Sequence, residues 1–379
     1  MISLDRIETN LVYLVGFNST SGREKPIATY MQQRHQRMGH ETHSIGNNVV
    51  ARIPGVDPRR AFVIGGHLDT IPGDSWQSDP HTLRRKGNTN TVIGLGVNDM
   101  KLVLAADLEV AGELTLSPPD CDVVFIYSAK EQTGGTGTQE VFNWLDTQDW
   151  WREYEDVNAI LGMPTYKGST PVLCNGQRGG TLLRVSAKGP TGHSGKDYED
   201  TPIAMQRVAE FVGATSSLQR QWREMYSDPE LGRPTIRPTQ FYYTGGNDSV
   251  VAAEALAIVD FRTTPALNRD WAKIRPELEK KYNVSLRFSW WPDFNPVDRE
   301  SLIWHAAQQV MSSTQTEAHP FGSDLSTYAG YGVSTLLYGC GDREWLNKPD
   351  EEVDTRVAIP YINTLLNLIP AYARVQRDT

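Results

Sequence analysis

The run FVIGGHLDT at residues 62–70 contains the residues that decide how this chain folds. Its first five residues are apolar or glycine, which is typical of a strand buried inside a sheet. His67 and Asp69 follow directly, at the point where such a strand would end. Because α/β sheets bind ligands beyond the carboxyl ends of their parallel strands, these two side chains are candidates for a functional site.

A second polar junction follows in GLGVNDMK, at residues 94–101. Asp99 stands there just before a run of apolar residues with helical spacing, from Leu102 to Val110. An imidazole and two carboxylates suit a divalent metal ion, because carboxylates both ligate metals and orient ligating histidines. The alternative is that His67, Asp69 and Asp99 are solvated loop residues. Motifs elsewhere in the chain are needed to distinguish a metal site from such loops.

Composition restricts the possible classes of protein. A chain of 379 residues with 39% hydrophobic and 22% charged residues is long enough for two globular domains. The net charge of −9 argues against a nucleic-acid partner. Three widely spaced cysteines, Cys121, Cys174 and Cys340, form neither a disulfide framework nor a cysteine zinc motif, which favours a reducing compartment. The N-terminus resembles an amphipathic helix and no apolar run reaches membrane-spanning length, so we expect a cytoplasmic protein without a membrane partner.

Apolar runs alternate with helical patterns in the first half of the chain. Strands are predicted at 48–53, 62–66, 122–128 and 159–161, and a continuous apolar run such as 122–128 is typical of a sheet covered on both faces. STSG at 19–22 is predicted to cap the next helix. The pattern indicates an α/β fold with a mixed, mostly parallel sheet flanked by helices.

A different pattern begins near residue 179. Strands predicted at 181–185, 239–243, 255–261 and 285–290 and helices predicted at 202–223 and 271–281 follow the order β-α-β-β-α-β. This order indicates a ferredoxin-like α+β domain. We therefore expect residues 179–292 to be inserted into a catalytic domain formed by residues 1–178 and 293–379.

Four motifs together resemble one family of enzymes. They are HLD at 67–69, GVNDMK at 96–101, Glu131 after a buried strand, and Gly192-His193 in the inserted domain. The chain resembles the M20 metallopeptidase-like amidohydrolases, particularly acetylornithine and acetylcitrulline deacetylases and succinyl-diaminopimelate desuccinylase. The resemblance implies cleavage of N-acyl groups from amino acids, two zinc ions bridged by an aspartate, and an inserted lid domain that forms a homodimer.

The resemblance also implies roles for individual residues. His67 matches a ligand of the first metal, Asp69 the carboxylate that orients this histidine, and Asp99 the bridging ligand. Glu131 matches the general base. His193 matches the lid histidine that reaches the partner subunit's site and stabilises the oxyanion.

On the substrate side, Arg262 matches an arginine that binds the substrate carboxylate, for which a guanidinium fork is well suited. Gly322, Ser323 and Asp324 match the family's substrate-side glycine loop. A further lid asparagine of the family falls on Ser249, and Asn247 lies two residues earlier.

Three ligand positions depart from the family's pattern. Gln132 and Met163 stand where the family has carboxylates, and Asn347 stands where it has a histidine. Zinc sites use about three good protein ligands, amide oxygens are weak ligands, and a thioether suits softer ions. His67 and Asp99 would remain as residual metal ligands. We therefore expect no tightly bound cofactor, with weak or single zinc binding still possible.

Several residues leave alternatives open. His81 and His319 lie near motif loops and are either replacement ligands or surface histidines. Lys130 either replaces lost positive charge or points to solvent. Cys340, in a Gly-Cys-Gly loop, is either a nucleophile or a structural thiol without an adjacent base.

Two functions fit these observations. The first is an enzyme that acts on an N-acyl amino acid or a related amide, by deacylation or acyl transfer, with altered or lost dependence on metal. The second is a non-catalytic relative that binds a small molecule. The presence of Glu131 and His193 favours the enzyme, whereas the three substituted ligands favour the binding protein. Metal content and activity on N-acyl amino acids would separate the two.

Overall fold

The computed structural model describes residues 2–180, 182–198, 201–244, 247–288 and 296–376. The chain divides into two units, each with its own hydrophobic core. The first unit comprises Met1–Gly176, Asn295–Glu317 and Ser323–Thr379, and the second comprises Gln177–Phe294 and Ala318–Gly322. The domain boundary expected between residues 292 and 293 lies outside the described residues.

Both units combine α-helices and β-strands. The helices of the described residues are α1 (Leu4–Gly16), α2 (Lys25–Arg37), α3 (Leu102–Leu116), α4 (Thr136–Leu145), α5 (Asp149–Arg152), α6 (Ala204–Met225), α7 (Pro265–Tyr282), α8 (Leu302–Val310), α9 (Leu325–Gly330) and α10 (Ala358–Arg374). The strands are β1 (Glu41–Ile45), β2 (Asn48–Ile53), β3 (Asp57–His67), β4 (Arg84–Arg85), β5 (Thr91–Ile93), β6 (Cys121–Ser128), β7 (Asp156–Leu161), β8 (Val172–Gln177), β9 (Leu182–Lys188), β10 (Gly192–His193), β11 (Thr235–Tyr243), β12 (Val250–Val251), β13 (Glu254–Arg262), β14 (Ser285–Phe288), β15 (Gln315–His319), β16 (Ser334–Leu337) and β17 (Glu352–Asp354).

The main sheet has the strand order β1-β2-β6-β3-β7-β16-β8-β15. Its four central strands, β6, β3, β7 and β16, are parallel to one another. At the sides, β2 pairs antiparallel with β6, β1 with β2, and β8 with β16. This confirms the predicted mixed sheet. The sequence did not predict β1, β8 or β15. β1 and β15 are rich in polar residues, and only the first three residues of β8 are apolar, so apolar periodicity does not reveal these strands.

Helices cover both faces of the main sheet. Along β3, Phe62 and Ile64 join an apolar cluster that includes residues of α1, α2, α3, α8 and α10. Ala61 and Val63 join a second cluster that includes residues of α4, α5 and α9. This alternation is what a strand buried on both faces requires. His67 pairs with Ser128 at the ends of β3 and β6, so the carboxyl ends of these strands lie side by side.

The second unit has the predicted ferredoxin-like arrangement. Its antiparallel sheet has the order β11-β13-β9-β14, with α6 following β9 and α7 following β13. One face of the sheet packs on these helices through an apolar cluster that includes Val185, Phe211 and Trp271. Of the strand predicted at 285–290, the structure describes Ser285–Phe288, and residues 289 and 290 lie outside the described part. Within that part, no helix is both long and apolar enough to cross a bilayer.

Candidate active site

His67 ends β3 and is almost completely buried. Its Nδ1 lies 2.9 Å from the main-chain oxygen of Asp69, and its Nε2 lies 2.9 Å from Oδ1 of Asp99. Both partners accept hydrogen bonds when Asp99 is ionised, and this arrangement favours a doubly protonated, cationic imidazole. Burial opposes this charge, but the carboxylates of Asp99, Glu131 and Asp69 outweigh it and raise the pKa of His67 well above its usual value.

Asp99 lies in the short helical turn Val97–Lys101 that leads into α3. Its peptide bond with Met100 is cis. While Oδ1 accepts from His67, Oδ2 accepts a hydrogen bond of 3.1 Å from the side-chain amide of Gln132. Protein donors therefore contact both oxygens of the carboxylate that matches the family's bridging ligand.

The carboxylate of Asp69 positions the loop that carries Glu131. It accepts hydrogen bonds of 3.0 Å from the backbone amides of Glu131 and Gln132, and one of 2.6 Å from the hydroxyl of Ser21. Its nearest approach to Nδ1 of His67 is 3.6 Å. The sequence-based expectation that this carboxylate orients His67 thus differs from the geometry, in which the main-chain oxygen of Asp69 makes the shorter contact.

A buried glutamate holds the other end of the same loop. Oε1 of Glu24 accepts the backbone amides of Gly22, at 2.6 Å, and Lys130, at 3.2 Å, and Oε2 accepts the side chain of Asn47 at 3.0 Å. Lys130 has a φ of 60°, an uncommon left-handed conformation for a residue with a side chain. Glu24 and Asp69 together therefore hold the three successive amides of residues 130–132.

No local sequence pattern reveals the roles of Ser21 and Glu24. STSG at 19–22 was expected to cap the following helix, but α2 begins at Lys25 and has no side-chain cap. That expectation was wrong because the hydroxyl of Ser21 donates to Asp69 instead. An acidic residue just before a helix resembles an ordinary N-terminal charge, so nothing local distinguished Glu24.

Glu131 and Asp324 form a pair of neighbouring carboxyl groups. Burial raises the pKa of Glu131 well above its usual value; His67 opposes the shift, and Asp324, Asp99 and Asp69 add to it. Burial also raises the pKa of Asp324, although its Oδ2 accepts hydrogen bonds from the hydroxyls of Ser128, at 3.0 Å, and Thr138. The sequence had placed Asp324 only within the glycine loop.

A lysine and a glutamate are buried beside Asp99. Glu351 accepts the backbone amide of Gly96, and Lys101 donates to the main-chain oxygen of Phe17 at 3.2 Å. Burial raises the pKa of Glu351 well above its usual value, and the charge of Asp99 adds to this shift. Burial lowers the pKa of Lys101 to about 7, although Glu351 opposes the shift. The sequence had singled out neither residue as part of the site.

The other two substituted ligand positions have different surroundings. Met163 is buried in the apolar cluster that contains Leu161 and Cys174. Asn347 is exposed and has a left-handed backbone conformation, with a φ of 58°. Among the described residues, no group of three or more His, Cys, Asp or Glu side chains is arranged to hold a metal ion.

The residues with open alternatives are distributed over both units. His81, in the first unit, is partly buried, and burial lowers its pKa. His319, in the second unit, is buried, with Nδ1 3.3 Å from the main-chain oxygen of Phe321. The ammonium of Lys130 lies 3.3 Å from Glu140. Cys340 is completely buried, and burial raises the pKa of its thiol far above the usual value, which makes it a poor nucleophile.

His193 ends the short strand β10, and Asn247 lies in the segment just before its partner strand β12. His193 is exposed, pairs with Val250, and accepts the amide of Gly195 on Nδ1 at 3.0 Å. The side-chain oxygen of Asn247 accepts the amide of Ser249 at 2.8 Å, and the main-chain oxygen of Ser249 accepts the amide of Ser194 at 2.8 Å. The structure therefore brings these two predicted site residues onto adjoining segments.

Arg262 ends β13, and its guanidinium donates to both oxygens of Asp260, at 2.9 and 2.7 Å. Asp260 therefore occupies two of its donor groups. The predicted glycine loop spans the division between the units, with Gly322 in the second and Ser323 in the first. Ser323 is buried, and its hydroxyl accepts the amide of Leu325 at the start of α9, at 3.3 Å.

Comparison with known proteins decides the family. The sequence model described as peptidase family M20/M25/M40 matches residues 63–371 of this chain. The chain belongs to this family. The resemblance inferred from the motifs is thus confirmed, and members of the family are amide or peptide hydrolases.

Two curated relatives illustrate the similarity. A succinyl-diaminopimelate desuccinylase of Bordetella parapertussis is 27% identical over 320 residues, which cover 79% of this chain and 78% of the relative. An acetylornithine deacetylase of Photorhabdus laumondii is 25% identical over 329 residues, which cover 81% of this chain and 79% of the relative.

Solved structures share the fold at lower identity. The di-peptidase Dug1p of Saccharomyces cerevisiae is 14% identical, with a TM-score of 0.78 over 98% of this chain and 96% of that one. Human carnosine dipeptidase 1 is also 14% identical, with a TM-score of 0.75 over 98% of this chain and 97% of that one.

Proposed function

We propose that this chain is an enzyme that acts on an N-acyl amino acid or a related amide, by deacylation or acyl transfer. The observation that carries the proposal is the loop of Glu131. Glu24 and Asp69 hold its three successive amides, and they place a carboxyl group beside the cationic His67. Two buried carboxylates thus fix the backbone of this loop. This favours a catalytic base, rather than an ordinary surface glutamate, as the role of Glu131.

The proposed reaction needs a base, an oxyanion partner and a substrate clamp. Glu131 takes a proton from the attacking water or amine as this bonds to the acyl carbon. When the C–N bond breaks, Glu131 returns the proton to the leaving nitrogen. His193 is the proposed oxyanion partner, contributed by the second subunit of a homodimer. Arg262 is the proposed clamp for the substrate carboxylate, and Asp260 holds its guanidinium in a defined orientation.

We further infer that the pair of zinc ions expected for the family does not fit this donor set. Only His67 and Asp99 match ligands of the first ion, and only Asp99 matches the second. Gln132 presents an amide donor to Asp99, Met163 is part of an apolar cluster, and Asn347 is neutral. These residues favour weak binding of a single divalent ion, or none, over a tightly bound dinuclear centre.

The variant Glu131→Gln tests the catalytic proposal. We expect it to lower turnover of N-acetyl amino acids by about a hundredfold or more, because an amide cannot take up the proton. The unmodified enzyme should keep its activity in the presence of a chelator. The assay uses a panel of N-acetyl amino acids with added zinc and with chelator.

Glu140→Gln is the matched control, because Glu140 is an exposed carboxylate of α4 that pairs with Lys130. It should retain normal turnover. Full activity of Glu131→Gln would contradict the assignment of the base.

The second candidate function is a non-catalytic small-molecule binder. It is favoured by the contacts of Asp99, since protein donors already satisfy both of its oxygens. In that case the chain would bind N-acyl amino acids without turnover in any variant. Glu131→Gln would then change neither product formation nor the oligomeric state.

We also propose that the second unit forms a homodimer through the free edge of β11. Within the described residues, β11 pairs with β13 on one side only. Phe241, Tyr242 and Tyr243 on this strand are 41%, 49% and 60% exposed. An unpaired edge with exposed aromatic side chains is a template for pairing with a second copy.

Replacing Phe241 and Tyr243 with lysine should convert this dimer into a monomer, because charges on an edge strand oppose edge-to-edge pairing. Light scattering at micromolar concentration measures the mass. Leu116→Lys is the control, since Leu116 is a 78% exposed apolar residue of the first unit. A monomeric unmodified protein, or a double variant that remains dimeric, would rule out this interface.

A further inference from the structure

The face of the second-unit sheet that is turned away from α6 and α7 carries unbalanced positive charge. In this sheet β9 lies between β13 and β14. Leu183 and Val185 of β9 are buried against the helices, whereas Arg184 between them is exposed on the opposite face. Arg287 of β14 stands directly opposite Arg184 in the antiparallel register and is also exposed. Like charges in directly opposed positions are destabilising, so this pair lowers stability unless an anion lies nearby.

Both arginines line one cavity of about 810 Å³. Lys188, Arg207 and Glu254 also line it, which gives four cationic side chains and one carboxylate. Lys188 and Glu254 pair with each other at 2.8 Å. Among the described residues that line it, the cavity therefore has an excess of three positive charges, on a chain with a net charge of −9.

No carboxylate among the described residues pairs with Arg184, Arg207 or Arg287. Arg207 donates to the main-chain oxygens of Asn283, at 3.1 Å, and Lys188, which are neutral acceptors. These contacts orient its guanidinium without neutralising it. Three guanidinium groups without a carboxylate partner in the described part of the chain thus line the same cavity.

We propose that this cavity binds a small organic anion with at least two acidic groups, either phosphates or carboxylates. Its volume lies within the range of small-molecule sites, roughly 300–1,000 Å³. Guanidinium groups bind carboxylate and phosphate oxygens through two parallel hydrogen bonds, so an opposed pair of arginines suits two acidic groups of one ligand. Tyr242 and Tyr243 also line the cavity and offer surfaces for the ligand's organic part.

This site is independent of the proposed catalytic function, since all of its residues belong to the second unit and none is assigned to the reaction. Arg184 and Arg287 lie on β9 and β14, away from the β11 edge of the proposed dimer, whereas Tyr242 and Tyr243 of the cavity lining belong to β11 itself.

Calorimetric titration of the full chain with inorganic diphosphate, citrate and acetate tests the proposal. We expect diphosphate or citrate to bind far more tightly than acetate, with an affinity that falls as salt is added. In the double variant Arg184→Gln/Arg287→Gln the affinity should fall at least tenfold, and each single variant should show a smaller loss. Preference for diphosphate would assign phosphate esters as the ligand class, and preference for citrate would assign polycarboxylates.

Arg220→Gln is the matched control, because Arg220 is an exposed arginine of α6 outside the cavity. It should bind as the unmodified protein does. Without ligand at low salt, the double variant should melt no lower than the unmodified protein, since it loses a like-charge contact. The proposal is overturned if neither polyanion binds at millimolar concentration, if acetate binds equally well, or if the double variant binds normally.

Discussion

Restoring three ligands in the variant Gln132→Glu/Met163→Glu/Asn347→His is expected to raise bound zinc from near zero to about two ions per chain. His67 and Asp99 already supply an imidazole and a carboxylate 2.9 Å apart, and the carboxylate matches the family's bridging ligand. The side chain at position 132 already reaches Asp99, because the backbone of its loop is held in place. A glutamate there would offer an oxygen where the amide now donates a hydrogen bond.

The surroundings of Met163 make this prediction sharper. Met163→Glu places a carboxylate in an apolar cluster, which costs stability unless a cation compensates its charge. The triple variant should therefore melt below the unmodified protein without metal and regain stability with zinc, because binding to the folded state alone stabilises it. Metal analysis after purification in zinc and thermal unfolding with and without zinc are the two measurements.

The single variants provide the controls for this experiment. Gln132→Glu or Asn347→His alone should bind little zinc, since neither ion is held well before its third ligand is present. Two tightly bound ions in the unmodified protein would contradict the argument, and so would a folded triple variant without zinc-dependent stability. Either result would mean that other residues determine metal binding.

Asp107→Asn is expected to remove a large pH dependence of stability. Asp107 is completely buried in α3, its Oδ1 accepts the hydroxyl of Tyr361 at 2.8 Å, and its Oδ2 has no partner among the described residues. Burial raises the pKa of this carboxyl from 3.8 to about 8, against the opposing effect of the Tyr361 hydrogen bond. At neutral pH the folded protein therefore contains a protonated Asp107.

The direction of the effect follows from the two pKa values. The folded pKa lies above the unfolded one, so the contribution of Asp107 to stability is fully present below about pH 4 and is lost as the pH rises to about 8. The loss amounts to about 1.4 kcal/mol per pH unit, and to roughly 6 kcal/mol at most. Asparagine keeps an acceptor for Tyr361 but cannot ionise, so it removes this loss.

Denaturant unfolding of both proteins between pH 4 and 9 provides the measurement. The difference in unfolding free energy between the two proteins is the quantity to compare, because it cancels other titrating groups. One such group is His35, whose pKa burial lowers to about 3, so that it destabilises the fold as the pH falls below about 6.5. Asp146→Asn, at an exposed position, should leave the profile unchanged. A difference that does not vary with pH would show that Asp107 keeps an ordinary pKa.

Much of the fold was predictable from local patterns. The buried strands were recognised because continuous apolar runs such as residues 122–128 are stable only inside a covered sheet. The inserted domain was recognised from the order of its elements. His67, Asp99 and Glu131 were identified because polar residues stand out where buried strands end or helices begin. These signals are local, and a single stretch of sequence carries each of them.

Only the tertiary structure decided which distant groups meet. Glu24 holds the amide of Lys130, Gln132 donates to Asp99, and Arg184 faces Arg287 across two strands. None of these contacts has a local signal, because each depends on strand register and on loops that pack together from separate parts of the chain. The sequence by itself determined the elements and the types of residue at the site. Burial and pairing of charges, which set pKa values and ligand affinity, were decided only when the chain folded.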